Sequence, residues 1–150
     1  MGRTPALDPN SAYAYLLLCT DFADTSAVAL CGGRMAGFVL GYRPPSRPDV
    51  YFVWQIAVCE EARGRGIGHS LIRHVLGRVV PEGVAFLEAT VTPSNRASWA
   101  LFRGFARASS LECDESLAFP SHLFPNEGHE DEVRIRIGPV AMTSPRASQL

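Results

Sequence analysis

Tyr51 to Val58 is the longest apolar strand pattern in the chain, and it leads through a short polar link into Arg63-Gly64-Arg65-Gly66-Ile67-Gly68. A helix follows. Ile67, Leu71, Ile72, Val75, Leu76 and Val79 fall at helical spacing between Gly66 and Val80, and Pro81 with Gly83 ends the run. Val84 to Val91 reads as the next strand. Strand, helix and strand joined by short links predict a parallel, right-handed unit over residues 51–91. Any fold for this chain has to be built around that unit.

The flanking segments supply the rest of the sheet. Asn10 or Ser11 caps a helix from about Ala12 to Phe22, with Tyr15, Leu16, Leu18, Cys19 and Phe22 as its apolar face. Thr25 to Leu30 and Met35 to Tyr42 read as an antiparallel hairpin turned at Gly32-Gly33. Gly37 and Gly41 inside the return strand signal a bulge or a close backbone approach. Arg43 to Asp49, with three prolines in seven residues, is a loop. Pro93-Ser94-Asn95 starts a third helix, expected to run to about Arg103 with Gly104 as its C-terminal cap. Ser109 to Gly128 reads as irregular with one weak strand, and Glu132 to Ile137 as a clear last strand. The expected architecture is a mixed α/β sheet.

The chain has 150 residues and a formal net charge of −1, which fits one domain and supplies no long-range field for nucleic acid or membrane. No apolar run approaches the length of a membrane span. The four cysteines, Cys19, Cys31, Cys59 and Cys113, are too far apart in sequence for a metal knuckle or a redox pair. With no secretory signal in the sequence, they predict reduced thiols in the cytoplasm.

The glycine turn is the first candidate for chemistry. Gly64, Gly66 and Gly68 let backbone N–H groups converge on an anion at a helix N-terminus, and Arg63 and Arg65 add charged donors. A nucleotide-hydrolysing phosphate loop needs Lys followed by Ser or Thr, whereas His69-Ser70 follows here. A Rossmann loop needs a longer parallel array than this chain has room for. A phosphate cradle of another kind is the expectation, with a purely structural turn as the alternative.

Val58 to Gly68, followed by Val91-Thr92-Pro93-Ser94-Asn95 and Phe102-Arg103-Gly104-Phe105, resembles the acetyl-CoA region of the GCN5-related N-acetyltransferases. The resemblance implies a mixed, mostly antiparallel sheet with a splayed parallel pair of strands. It implies that the strand before the turn pairs with the pantetheine of acetyl-CoA. The cofactor contacts it implies are Ile56, Ala57, Val58, Arg63, Gly64, Arg65, Gly66, Ile67, Gly68 and Asn95. The domain is expected at residues 1–140, with the acetyl-CoA motif at about 53–80, and the polar, small-residue composition of the chain's end predicts a disordered tail at 141–150.

Four strings narrow the resemblance over about residues 7 to 140. They are Leu7-Asp8-x-Asn10-Ser11-x-Tyr13-x-Tyr15-Leu16-Leu17-Leu18-Cys19, Phe52-Val53-Trp54-Gln55, Thr90-Val91-Thr92-Pro93-Ser94-Asn95 and His129-Glu130-Asp131-Glu132. In this order they resemble the L-2,4-diaminobutyrate acetyltransferases of ectoine biosynthesis. That family implies acetyl transfer from acetyl-CoA to the 4-amino group of L-2,4-diaminobutyrate, no metal, and a homodimer. It also implies a strand and a helix ahead of Asp8, which this sequence does not show; their absence is expected to expose apolar surface and to weaken the chain. The competing expectations are another small-amine or peptide N-acetyltransferase and a coenzyme A-binding protein without turnover.

A substrate with two ammonium groups calls for acids in a partly dry pocket, and Asp8 and Glu132 are the candidates. Asp8 also reads as a helix cap and Glu132 as a solvated strand residue. Trp54 reads as a cation–π wall for the substrate or as core. The attacking amine must lose a proton, and His129 and Glu132, three apart, are the candidate bases. A zinc reading of His129-Glu130 fails because Val133 stands where a second His would be needed. Many members of the broader superfamily carry a Tyr where this chain has Phe102, so Tyr13 is the candidate proton donor.

Overall fold

The Ser11 hydroxyl accepts from the Ala14 amide, and the chain enters its first helix, α1 (Ala12–Asp21), at that cap. The computed structural model describes residues 11–125 and 128–140. After α1 come β1 (Ala27–Cys31), β2 (Arg34–Tyr42), β3 (Val50–Val58), α2 (Ile67–Val79), β4 (Phe86–Val91), α3 (Arg96–Ser109), β5 (Glu112–Phe119) and β6 (Glu132–Gly138). The strands form one six-stranded sheet in the order β1-β2-β3-β4-β6-β5. Only β3 and β4 run parallel, as the helix between them requires.

The core lies between α2, α3 and one face of the sheet. Ile72, Val75, Tyr51, Leu87, Phe105 and Ile135 form its centre. Tyr51 is wholly buried, and its hydroxyl donates to the Thr25 carbonyl at 2.9 Å. On the other sheet face, α1 reaches β3 through the Tyr15 hydroxyl, 3.3 Å from Gln55 Oε1.

Three expectations change. The apolar face expected on α1 is mostly uncovered: Leu18 is its one buried residue, and Leu16 is 64% exposed. α3 does not stop at Gly104. Its buried stripe of Phe102, Phe105 and Ala106 carries it to Ser109, and Ser110, at φ 53°, makes the left-handed cap. Gly104 is instead an interior position where a Cβ would meet the His69 ring at 3.5 Å. The stretch expected to be irregular holds the eight-residue strand β5. It is an edge strand, exposed along most of its length, so it lacks the apolar alternation that reveals a strand in sequence.

Candidate active site

Two irregularities meet at Trp54. Across β2, Leu40 faces Gln55 and Gly41 faces Val53, so Trp54 is the extra residue of a bulge. Gly41 permits it: a Cβ there would lie 2.5 Å from the Phe52 carbonyl oxygen. On the opposite side, β3 pairs with β4 only from Val50 to Val53, against Phe86 to Ala89. Beyond that point β3 stays with β2 as far as Val58 while β4 stays with β6. The parallel pair therefore splays, and among the described residues the backbone groups of Trp54 to Val58 that face β4 have no strand to pair with.

The splay opens a cleft of about 850 Å³. Ala89, which belongs to the helix-side core, and Thr90, its neighbour on the other face, both line it, so the cleft passes through the sheet. At one end lies the glycine turn. Gly64 and Gly66 take φ of 72° and 74°, a conformation that glycine adopts without strain. Gly66 is the N-cap of α2, with no side-chain cap and no acid in the first turn. The first helical bond is Ser70 N–H to Gly66 O, at 3.0 Å, which leaves the amides of Ile67, Gly68 and His69 ahead of it. Those amides and the helix dipole make a cradle for an anionic group.

The expected cofactor residues mostly converge here. Ile56, Ala57, Val58, Arg63, Gly64, Gly66, Ile67, Gly68 and Asn95 line the cleft, and Arg65 does not. Arg63 Nε also donates to the Val58 carbonyl at 3.4 Å. Asn95 Oδ1 caps α3 by accepting from Ser98 N at 3.1 Å, which leaves its amide hydrogens for a ligand. His69 was not picked out from sequence. It lines the cleft with Nε2 3.1 Å from the Leu101 carbonyl of α3, and its place in the first turn of α2 was the available signal.

Trp54 and Glu132 line the cleft from the sheet. His129 stacks on Phe124 with ring centroids 3.7 Å apart. Its Nδ1 lies 2.6 Å from the Glu130 carbonyl oxygen, and its Nε2 lies 3.9 Å from Glu132 Oε1. Glu130 accepts from the Ser94 amide and Asp131 from the Ser121 amide, so these two acids hold loops while Glu132 faces the cleft. Tyr13 is 68% exposed and is not among the lining residues; Tyr15 is the tyrosine of α1 that touches β3. Asp8 lies outside the described residues. Among the described residues, no three potential ligands gather as a metal site, and no helix is long and apolar enough to cross a membrane.

Residues 3–105 match the acetyltransferase (GNAT) family. The L-2,4-diaminobutyric acid acetyltransferase of Shouchella clausii is 43% identical over 93% of this chain and 79% of its own length. That of Nocardia farcinica is 48% identical over 90% and 69%. The chain belongs to the diaminobutyrate acetyltransferases of the GNAT family. A solved diaminobutyrate acetyltransferase, EctA from Paenibacillus lautus, in complex with L-2,4-diaminobutyric acid and coenzyme A, superposes with a TM-score of 0.84 at 39% identity, covering 91% of this chain and 82% of that one. The helix after Asn95 meets the cleft with Phe102, which carries no proton to donate.

Proposed function

We propose that this chain transfers the acetyl group of acetyl-CoA to the 4-amino group of L-2,4-diaminobutyrate, releasing N4-acetyl-L-2,4-diaminobutyrate and coenzyme A in ectoine biosynthesis. The observation that carries the proposal is the continuity of the cleft. The amide cradle of Gly64 to Gly68 lies at one end, and Trp54 and Glu132 lie where the cleft crosses the sheet.

Each part then has a task. The cradle, Arg63 and Asn95 take the pyrophosphate region, and β3 from Trp54 to Val58 offers backbone pairing to the pantetheine. Trp54 and Glu132 stabilise a cationic amine. Glu132 and His129, directly or through water, take the proton from the 4-ammonium so that its lone pair can attack the thioester carbonyl. A backbone N–H near Ala57 or Val58 stabilises the oxygen as it gains charge. A thiolate is a better leaving group than an alkoxide and departs without a dedicated acid, which suits a cleft with Phe102 on its wall and Tyr13 outside it.

The family resemblance and the uncovered apolar residues of α1 and β5 support a homodimer, and the four free cysteines support a cytoplasmic setting. The test is release of free coenzyme A with diaminobutyrate, lysine, ornithine or a peptide as acceptor, with the acetylated nitrogen assigned by NMR. Diaminobutyrate should lead by at least about 100-fold in kcat/KM, which corresponds to roughly 2.7 kcal/mol of transition-state discrimination. No rate above background with diaminobutyrate overturns the proposal.

A further inference from the structure

The substrate carries a carboxylate as well as two amines, and the cleft residues named so far offer it no cation on the sheet side. The structure has one beside that wall. Thr90 of β4 and Arg134 of β6 face each other directly across the antiparallel ladder, so their side chains leave the same sheet face. Thr90 lines the cleft. So does Glu132, two residues before Arg134 on the same face of β6. Arg134 is not itself among the residues that line the cleft; it stands beside two that are, on the sheet face turned away from α2 and α3.

Its guanidinium is aligned but not used up. Glu88, 1% exposed, is the carboxylate at the centre of this face. Arg136 Nη1 binds Glu88 Oε1 at 2.5 Å, and Arg47 Nη1 binds Oε2. Arg134 Nε stands 3.5 Å from Glu88 Oε2 and, though buried, makes no hydrogen bond. Its side chain is one-third exposed, so the forked end is open to a ligand. A guanidinium held from behind by a carboxylate, with its fork free, is suited to bidentate capture of a second carboxylate.

Resting on the function proposed above, we infer that Arg134 receives the carboxylate of the diamino acid. Glu132, one side-chain position nearer the end of the strand, meets an amine. Fixing the carboxylate at Arg134 keeps the adjacent α-amine away from the thioester and leaves the 4-amine to reach it. Arg134 is thus a specificity-determining residue, and diamines that lack the carboxylate gain nothing from it.

The test compares diaminobutyrate with 1,3-diaminopropane, which keeps the amine spacing and lacks the carboxylate, in the full chain and its Arg134→Gln and Arg134→Lys variants. Glu88 keeps Arg47 and Arg136 in both variants, so the fold should persist. Arg134→Gln should lower kcat/KM for diaminobutyrate by about 10- to 100-fold, the range for a lost charge-assisted hydrogen bond. It should leave 1,3-diaminopropane turnover and coenzyme A affinity unchanged. Arg134→Lys should recover part of the loss, since it restores charge without the fork. Unchanged diaminobutyrate kinetics in Arg134→Gln, or an equal fall for both amines, overturns the assignment. A wild-type chain that turns over 1,3-diaminopropane but not diaminobutyrate overturns both the assignment and the function on which it rests.

Discussion

Gly68 of α2 lies so close to Leu101 of α3 that a Cβ on Gly68 would stand 2.7 Å from Leu101 Cδ1. The next residue, His69, reaches the Leu101 carbonyl at 3.1 Å. The first turn of the anion cradle is thus seated against α3 as well as formed by its own backbone. Gly68→Ala gains up to about 1 kcal/mol of helix propensity but must displace Leu101, at a cost of about 1–3 kcal/mol. The expected net result is a loss of about 1 kcal/mol in denaturant unfolding and a several-fold rise in KM for acetyl-CoA. Adding Leu101→Ala should show non-additivity in a double-mutant cycle, because it removes the atom that clashes.

Gly66 is the uncapped N-cap of α2. In Gly66→Asp, the new carboxylate can cap the helix and meets the φ of 74° at a cost of about 1 kcal/mol. Stability should therefore change little. Coenzyme A binding, measured by calorimetry, should fall at least about 100-fold, because the carboxylate occupies the amides and repels phosphate.

Glu132 faces the cleft, and His129 stands 3.9 Å from it. Glu132→Ala should impair diaminobutyrate turnover while coenzyme A affinity stays near normal. His129→Ala should lower kcat by about 100-fold or more if the imidazole takes the proton, and the acid limb of its kcat/KM profile should flatten. Parallel pH profiles for wild type and His129→Ala would remove His129 from the proton path.

Burial raises the pKa of the Tyr51 hydroxyl well above the ordinary tyrosine value, with the Arg78 charge opposing in part. A phenol that keeps its proton in the folded state and loses it in the unfolded state makes stability fall as pH rises above about 10. Tyr51→Phe lacks that titration and also lacks the hydrogen bond to the Thr25 carbonyl. At neutral pH it should be less stable by about 1 kcal/mol. The gap should narrow above pH 10 in alkaline unfolding curves.

The parallel unit over residues 51–91 was legible because β3 and α2 carry strong apolar periodicities and the glycines of the turn mark a particular backbone. Gly41 signalled a bulge, but the extra residue lies in its partner strand, at Trp54, which no single-strand pattern can show. Gly104 looked like a helix stop because sequence does not reveal that His69 packs over it. Tyr13 and Tyr15 are two apart on one helix and cannot face the same way; the choice between them depends on where α1 lies on the sheet, and it is Tyr15 that contacts Gln55. Glu130, Asp131 and Glu132 are equivalent in sequence, and only the loops they bind separate them. Arg134 carried no motif, because its interest comes from a cross-strand neighbour and from Glu88.

The end of β3–β4 pairing at Val53 has a thermodynamic consequence. A ligand that pairs with Trp54 to Val58 would supply the hydrogen bonds of a strand that none of the described residues provides. Such a ligand binds the folded state alone, so it raises stability by RT ln(1 + [L]/Kd), about 2.7 kcal/mol at one hundred times Kd. On the pairing proposed above, coenzyme A completes the sheet, and the melting temperature should rise with coenzyme A concentration.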